Sequence, residues 1–316
     1  MVCNLLTNKL MPTHVGEYYH DRLNDDVYYE GYARCGSLSN QPVWMIRRVV
    51  VSGAITQETW AGLGSNQMVW DNRYTYFDDY TTPTYPISSM KSVYFDGVND
   101  TLLAPVASMV PEGSAAAWTL SFWVKRLGDF EQYDTFFDNR NDDGNIGKII
   151  QNAGRHMVIR WYSDYSKYIY KLWKDVVVTS SWVHYVITYA GTGVASGLTL
   201  YVNGVEYVGG EVYSDTLEDV PSASNYKIGT GNPTTFNGYM DEIVAYDKAL
   251  NATEVSELYN SGIPTNPRNL STADNLWAWY AMGDGDSYPV ITNYVGESNI
   301  TMLNMLSTNI TLEVPG

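Results

Sequence analysis

The stretch Phe236-Asn237-Gly238-Tyr239-Met240-Asp241-Glu242-Ile243-Val244-Ala245-Tyr246 leads straight into Asp247-Lys248-Ala249-Leu250-Asn251-Ala252-Thr253-Glu254-Val255. The first part reads as a strand. Regular alternation would set Tyr239, Asp241, Ile243 and Ala245 on one face and Met240, Glu242, Val244 and Tyr246 on the other. An acidic residue is then forced near a core face, where a charge is costly unless it is paired or bound to a metal. The second part reads as a helix start, because Asn251 stands three residues before Glu254 in the pattern of a capping box. Val255, Leu258 and Tyr259 form a short apolar stripe, and Gly262 follows as a stop signal. A late sandwich strand running into one short surface helix is the expectation.

The composition agrees with a β protein. Of 316 residues 27 are Tyr and 10 are Trp, while only 17% are charged; aromatic side chains suit a pleated, half-buried surface. The formal net charge of -16 opposes binding to phosphate backbones, so nucleic acid is not an expected partner. Cys3 and Cys35 cannot make a disulfide framework, and His14, His20, His156 and His184 show no zinc spacing, since His14-x-x-Glu17-x-x-His20 lacks the His-Glu-x-x-His order. The N-terminal residues lack the basic start and sustained apolar core of a signal peptide, and no run of about 18 apolar residues suggests a membrane span. Synthesis without classical export is expected, which leaves the Asn-x-Thr triplets at Asn99, Asn251 and Asn299 without meaning for glycosylation.

Two regions follow from the patterning. Residues 1–40 have no clear period and read as an arm. Val43–Val51 is a strong strand ending at the Ser52-Gly53 turn, Ala54–Trp60 a return strand and Asn72–Phe77 a third. The proline-bearing stretch Thr81–Pro86 reads as a stiff linker. Residues 1–88 are thus expected to form an arm and small β attachment module, and 89–316 a larger sandwich. In the latter, Ser92–Pro105 gives two short strands around a Gly/Asn/Asp turn, and Trp118–Lys125 alternates with Trp118, Leu120, Phe122 and Val124 inward. Phe136–Trp161 holds two or three strands. Trp182–Tyr189 and Leu198–Val202 follow, the latter with Asn203-Gly204, a strong hairpin signal. Many short strands with one helix imply an all-β, antiparallel two-sheet jelly roll.

Several motifs in order carry a resemblance to laminin G-like, concanavalin A-like jelly rolls. They are Phe95-Asp96-Gly97-x-x-Asp100, Trp118–Val124, Trp182-x-His184-Tyr185-Val186, Leu200–Gly204 and Gly238-x-x-Asp241-Glu242-Ile243-x-x-Tyr246-x-x-x-Leu250, covering roughly residues 90 to 262. The tail Leu276–Asp286 with Asn304-Met305 is similar to a segment that accompanies such domains in virion proteins of tailed phages, and Trp44–Arg48, Trp60-Ala61 and Val69–Arg73 resemble a short N-terminal module of phage structural proteins. In commoner members the Trp-rich Gly-Asp-Gly segment precedes the Phe-Asp-Gly strand, whereas here it follows the helix. Trp277–Met282 is therefore expected to return to the sandwich as an added strand.

Three kinds of site are open. Asp96 and Asp100 flank Gly97, and in the resembling fold the Asp241 strand runs close to that turn, so the three could hold a structural Ca2+; the alternative is that Asp96 and Asp100 make Asx turns and Asp241 accepts from loop amides. Catalysis of glycosidase type needs two carboxylates facing across a cleft, and adjacent Asp241 and Glu242 would point to opposite faces, so no enzyme is expected. Glycan binding needs aromatic planes beside polar loop groups, which Tyr162, Asp164, Tyr165 and Tyr168 supply, with Asn139 and Asn141 in the polar loop 138–142. The competing reading gives these tyrosines to an interface with another subunit. His184 is expected to be a hydrogen-bonded core histidine, Trp118, Trp123 and Trp182 core indoles, and Met302 and Met305 gap fillers.

The resemblance implies a non-enzymatic virion structural protein, made in the host cytoplasm and assembled on the particle, as a capsid decoration or short head or tail appendage that stabilises the particle or adheres to a host surface. A receptor-binding tail fibre or spike gripping host glycans is one alternative, and a carbohydrate-active enzyme or carbohydrate-binding module another. Other virion proteins are the expected partners, and by analogy a homotrimer. The absence of heptads, collagen-like triplets and β-helix repeats argues against a long fibre.

Overall fold

The computed structural model describes residues 17–24, 27–33, 42–52, 55–60, 68–69, 89–128, 133–220, 223–231, 235–296 and 298–316. Two compact units divide the chain, Met1–Thr84 and Tyr85–Gly316. In the first, strands β1 (Glu17–Asn24), β2 (Val27–Ala33), β3 (Pro42–Ser52) and β4 (Ile55–Trp60) form an antiparallel meander in that order, with β5 (Met68–Val69) also paired to β3. Ile46 and Val49 on β3 are buried. The expected arm is corrected over 17–33, where β1 and β2 pair along their length instead of running as loops; the stretch before Glu17, the expected strand Asn72–Phe77 and both cysteines lie outside the described residues.

The second unit is a two-sheet antiparallel sandwich. Its strands are β6 (Ser92–Asp96), β7 (Thr101–Ala104), β8 (Trp118–Arg126), β9 (Thr135–Asp138), β10 (Gly147–Ala153), β11 (His156–Asp164), β12 (Lys167–Trp173) and β13 (Trp182–Tyr189). There follow β14 (Leu198–Val202), β15 (Val205–Glu206), β16 (Glu211–Asp215), β17 (Tyr226–Ile228), β18 (Asn237–Tyr246), β19 (Leu276–Tyr280), β20 (Val290–Ile291), β21 (Ile300–Leu303) and β22 (Ile310–Thr311). One sheet runs β16-β12-β11-β10-β9-β17-β7-β21-β20, the other β15-β14-β13-β8-β18-β6-β22, with β19 paired to β18. Trp277–Tyr280 does return to the sandwich as an added strand. The turn after Asp96 is a corner and not a hairpin, because β6 and β7 belong to opposite sheets.

The main core lies between the sheets. Trp118, Leu120, Phe122 and Val124 of β8 face it as their alternation predicts, opposite Phe137, Ile159 and Trp161. The other side of the eight-stranded sheet is covered as well. There Val186, Tyr201, Val244 and Tyr246 meet Leu250, Val255 and Leu258, the last two from helix α1 (Ala252–Tyr259). Burying each of those two side chains contributes about 1.5–3 kcal/mol. The capping box is present: Asn251 Oδ1 accepts from Thr253 N at 2.9 Å and Glu254 N at 3.1 Å, and Glu254 Oε2 accepts from Asn251 N at 2.9 Å. The helix stops at Asn260, with φ 46°, two residues before the expected Gly262, because Asn tolerates the left-handed cap.

His184 is buried as expected, with Nε2 2.7 Å from Ser121 Oγ. Its ring stacks on Trp123 at 4.8 Å and Tyr259 at 5.7 Å, and burial lowers its pKa to about 3. Trp118 and Trp123 are buried, whereas Trp182 is only half-buried and reaches Glu313 Oε1 at 3.4 Å. Gly238 answers for one motif position: at φ 148° a Cβ would stand 2.2 Å from the Lys125 carbonyl oxygen, so the close approach of β18 to β8 excludes any side chain.

Candidate ligand-binding face

The acidic pair of β18 departs from simple alternation. A bulge falls between Asp241 and Val244, and Glu242 takes a φ of 45°, a conformation costly for a residue with a Cβ. The phase of the strand shifts there. Met240, Ile243 and Ala245 face the main core, while Val244 and Tyr246 face the helix layer. The bulge marks the point at which β18 changes partner, from β6 through Met240 to β19 from Ile243. Asp284 and Asp286, from the loop after β19, add to the electrostatics of this pair. Asp241 accepts from Ser89 Oγ at 2.5 Å and Glu242 N at 2.8 Å, and Glu242 Oε2 from Trp279 Nε1 at 2.6 Å. Asp284 accepts from Met90 N at 2.8 Å and Asp286 from Gly283 N at 2.7 Å and Thr292 N at 2.8 Å. Burial pushes all four pKa values up; for Asp241 the neighbouring Glu242 adds to the rise, and Glu242 itself reaches about 8.

Asp96, Asp100 and Asp241 are not brought together. Asp96 pairs with Asn237 across the ladder, and Asp241 stands four residues further along β18, on the order of 10 Å away at strand spacing. Asp96 Oδ1 accepts from Val98 N at 2.7 Å, as an Asx turn requires. Asp100 Oδ2 takes Asp96 N at 3.0 Å and Asn309 Nδ2 at 2.8 Å. Their lone pairs are aimed at loop amides and not at a common centre, and among the described residues no group of three or more His, Cys, Asp or Glu side chains is arranged to hold a metal ion. The residues present do not fit the Ca2+ cage expected from them.

Of the expected tyrosines, Tyr162 and Tyr168 come together. Trp161 and Ile169 turn into the core, so their neighbours Tyr162, Arg160, Tyr168 and Tyr170 stand on the outer face of the nine-stranded sheet. Tyr162 and Tyr168 are register partners with ring centroids 5.0 Å apart. Tyr170 stacks on Tyr213 at 4.8 Å, and the Arg160 guanidinium lies 4.4 Å from the Tyr170 ring centre. The register carries one row across the sheet: Tyr170, Arg160, Ile149, Asp138, Lys227. Arg140 grips Asp138 with two parallel bonds, Nε to Oδ1 at 2.9 Å and Nη2 to Oδ2 at 2.8 Å. Burial pushes the Tyr162 hydroxyl pKa up, against the pull of Arg160 and Arg140 nearby.

Asp164, Asn139 and Asn141 have structural work. Asp164 Oδ1 holds the β11–β12 turn through Ser166 N at 2.6 Å and Lys167 N at 3.0 Å, with Tyr165 exposed at the tip. Asn139 is buried and accepts from Lys148 N at 2.6 Å; Asn141 Oδ1 shapes its loop through Asn145 N at 2.8 Å. Arg160 and Tyr213 were absent from the sequence-derived set. Period-two counting back from Tyr162 finds Arg160, whereas Tyr213 comes from β16, a distant partner that no local pattern reveals.

The second unit is thus a two-sheet jelly roll of the lectin-like class, with a tyrosine- and arginine-lined outer sheet face. The chain belongs to the concanavalin A-like lectin/glucanases superfamily, whose laminin G-like model matches residues 96–256. A Bacteroides ovatus protein described as carbohydrate-binding shares the fold at a TM-score of 0.50 and 15% identity, over 95% of this chain and 83% of that one. The receptor binding domain of botulinum neurotoxin D aligns with 56% of the chain and 45% of its own, at 15% identity and a TM-score of 0.42. Adhesion G-protein coupled receptor V1 of Danio rerio is 25% identical over 183 residues, which are 55% of this chain and 3% of the receptor. The chain thus spans a small fraction of the length of that curated relative. No helix among the described residues is long and apolar enough to cross a membrane.

Proposed function

We propose that this chain is a non-enzymatic adhesion module whose jelly roll binds glycans on the outer face of the nine-stranded sheet, while the N-terminal unit attaches it to a larger assembly. The observation that carries this reading is the gathering of Tyr162, Tyr168, Tyr170 and Tyr213 with Arg160 and the Arg140–Asp138 pair on one face. Flat rings receive the C–H faces of sugars, and fixed charged forks receive their polar groups. The non-enzymatic reading is supported by the burial of Asp241 and Glu242, which are hydrogen-bonded within the fold.

The assembly is a tailed-phage virion in this proposal, supported by the likeness of the Trp44–Arg48 and Leu276–Asp286 segments to virion proteins. A glycan array with the full chain tests the binding role: hits lost in Tyr170→Ala are expected, and a blank array would overturn it. Immunogold or cryo-microscopy of particles tests the setting. Regular copies over the head place it as a decoration, copies at the tail as a receptor-binding appendage, and absence from particles refutes the virion role.

A further inference from the structure

We infer that the glycan bound on the tyrosine-lined face is anionic, with its carboxylate or sulfate held by Arg160. The inference rests on the glycan reading above and names the ligand class. In a chain with 35 acidic and 19 basic residues, several cations of this sheet and its turns have a carboxylate. Arg140 holds Asp138 at 2.8 Å, Lys148 reaches Glu112 at 3.2 Å, Lys167 reaches Glu218 at 2.7 Å and Lys174 reaches Glu211 at 2.6 Å.

Arg160 is the exception near the centre of the face. It stands half-buried between Tyr170 and Ile149 in the register row, and its guanidinium makes no hydrogen bond or ion pair among the described residues. Its contact is the Tyr170 ring at 4.4 Å, itself backed by Tyr213. The nearest carboxylate in the row, Asp138, is already taken by Arg140 in a bidentate grip. Lys227, the register partner of Asp138 on its far side, likewise has no ion pair among the described residues.

A guanidinium laid on an aromatic ring loses little further freedom on binding, and its fork of donors matches a carboxylate or sulfate through two parallel bonds. The rings of Tyr162, Tyr168 and Tyr170 then supply stacking surface beside the anchored anion. The net charge of -16 repels polyanions at large, so attachment of an acidic polymer has to come from a local cationic site.

The test uses the full chain with three immobilised polymers: polygalacturonate for the carboxylate, dextran sulfate for the sulfate ester and dextran as the neutral control. Binding to at least one acidic polymer and not to dextran is expected, weakening with added salt. Arg160→Gln should lower that affinity about tenfold or more, as loss of a charge-assisted pair does, with only a small shift of the melting curve, because the internal contact removed is the one with the Tyr170 ring. Arg160→Lys keeps the charge but not the fork and should recover only part of it. Equal binding to dextran with Arg160→Gln indistinguishable from the parent would overturn the anionic assignment while leaving the glycan reading intact. No binding to any of the three, together with a blank neutral-glycan array, would overturn both.

Discussion

Replacing Glu242 by Gln separates the charge of the acidic pair from its shape. Glu242 is buried, accepts from the Trp279 indole at 2.6 Å and has a pKa raised from 4.5 to about 8, chiefly by burial. A carboxyl whose folded pKa exceeds its unfolded value stabilises fully below the unfolded value, and that contribution is lost as pH rises through the folded one. The window therefore runs from 4.5 to about 8. At 1.36 kcal/mol per pKa unit the loss is about 5 kcal/mol across it, which corresponds to roughly 10 °C or more in melting temperature for a unit of this size. Gln keeps an oxygen for Trp279 and cannot ionise, and it relieves Asp241, whose pKa burial and Glu242 together raise. His184 works in the opposite sense: its pKa is lowered to about 3, so its contribution is present above the unfolded value of 6.5 and lost as pH falls. That background cancels when parent and variant are compared at each pH. Thermal melts at about pH 5 and about pH 9 should show a steeper loss in the parent than in Glu242→Gln, which keeps the part due to the raised carboxyls of Asp241, Asp284 and Asp286. Parallel curves would refute the burial of an ionisable carboxyl at this bulge.

Other outcomes follow from the same contacts. Arg126 and Asp134 form a fully buried ion pair, so Asp134→Ala should cost about 3–5 kcal/mol by leaving the guanidinium without its carboxylate; denaturant melts check this, and a change below about 1 kcal/mol would contradict it. Asn251→Ala removes an acceptor shared by two helix amides and should cost about 1 kcal/mol, read by the same melts. Because Asp96, Asp100 and Asp241 do not share a centre, a chelator should leave the melting temperature unchanged, and a fall reversed by added calcium would contradict that geometry.

Local chemistry was the legible part. The Asn251–Glu254 capping box, the inward face of β8 and the Asn203-Gly204 hairpin, with φ of 49° and 77°, each depend on neighbours within a few residues, and each forms as read. The phase of β18 was not legible. Alternation from Tyr239 assumes an unbroken ladder, whereas a left-handed residue at Glu242 resets the face count so that two different strands can share one edge of β18. The expected trio of Asp96, Asp100 and Asp241 is not gathered for a different reason: β6 and β18 run antiparallel from the Asp96–Asn237 pair, which carries Asp241 four residues away from the Gly97 turn. On the binding face, Tyr162 and Tyr168 were found because they flank one turn. Tyr213 was hidden because β16 joins the sheet from about forty residues away, and pairing at that range leaves no mark on the sequence pattern.

The most direct test of the account is the affinity of the full chain for its best array glycan before and after Tyr170→Ala. Tyr170 packs against both Arg160 and Tyr213 on the exposed face, so its loss should weaken binding by about tenfold or more, as truncation of an aromatic hot spot does, with the fold intact by circular dichroism. Unchanged affinity in a folded Tyr170→Ala protein would show that the ligand sits elsewhere and that this face is not the adhesive one.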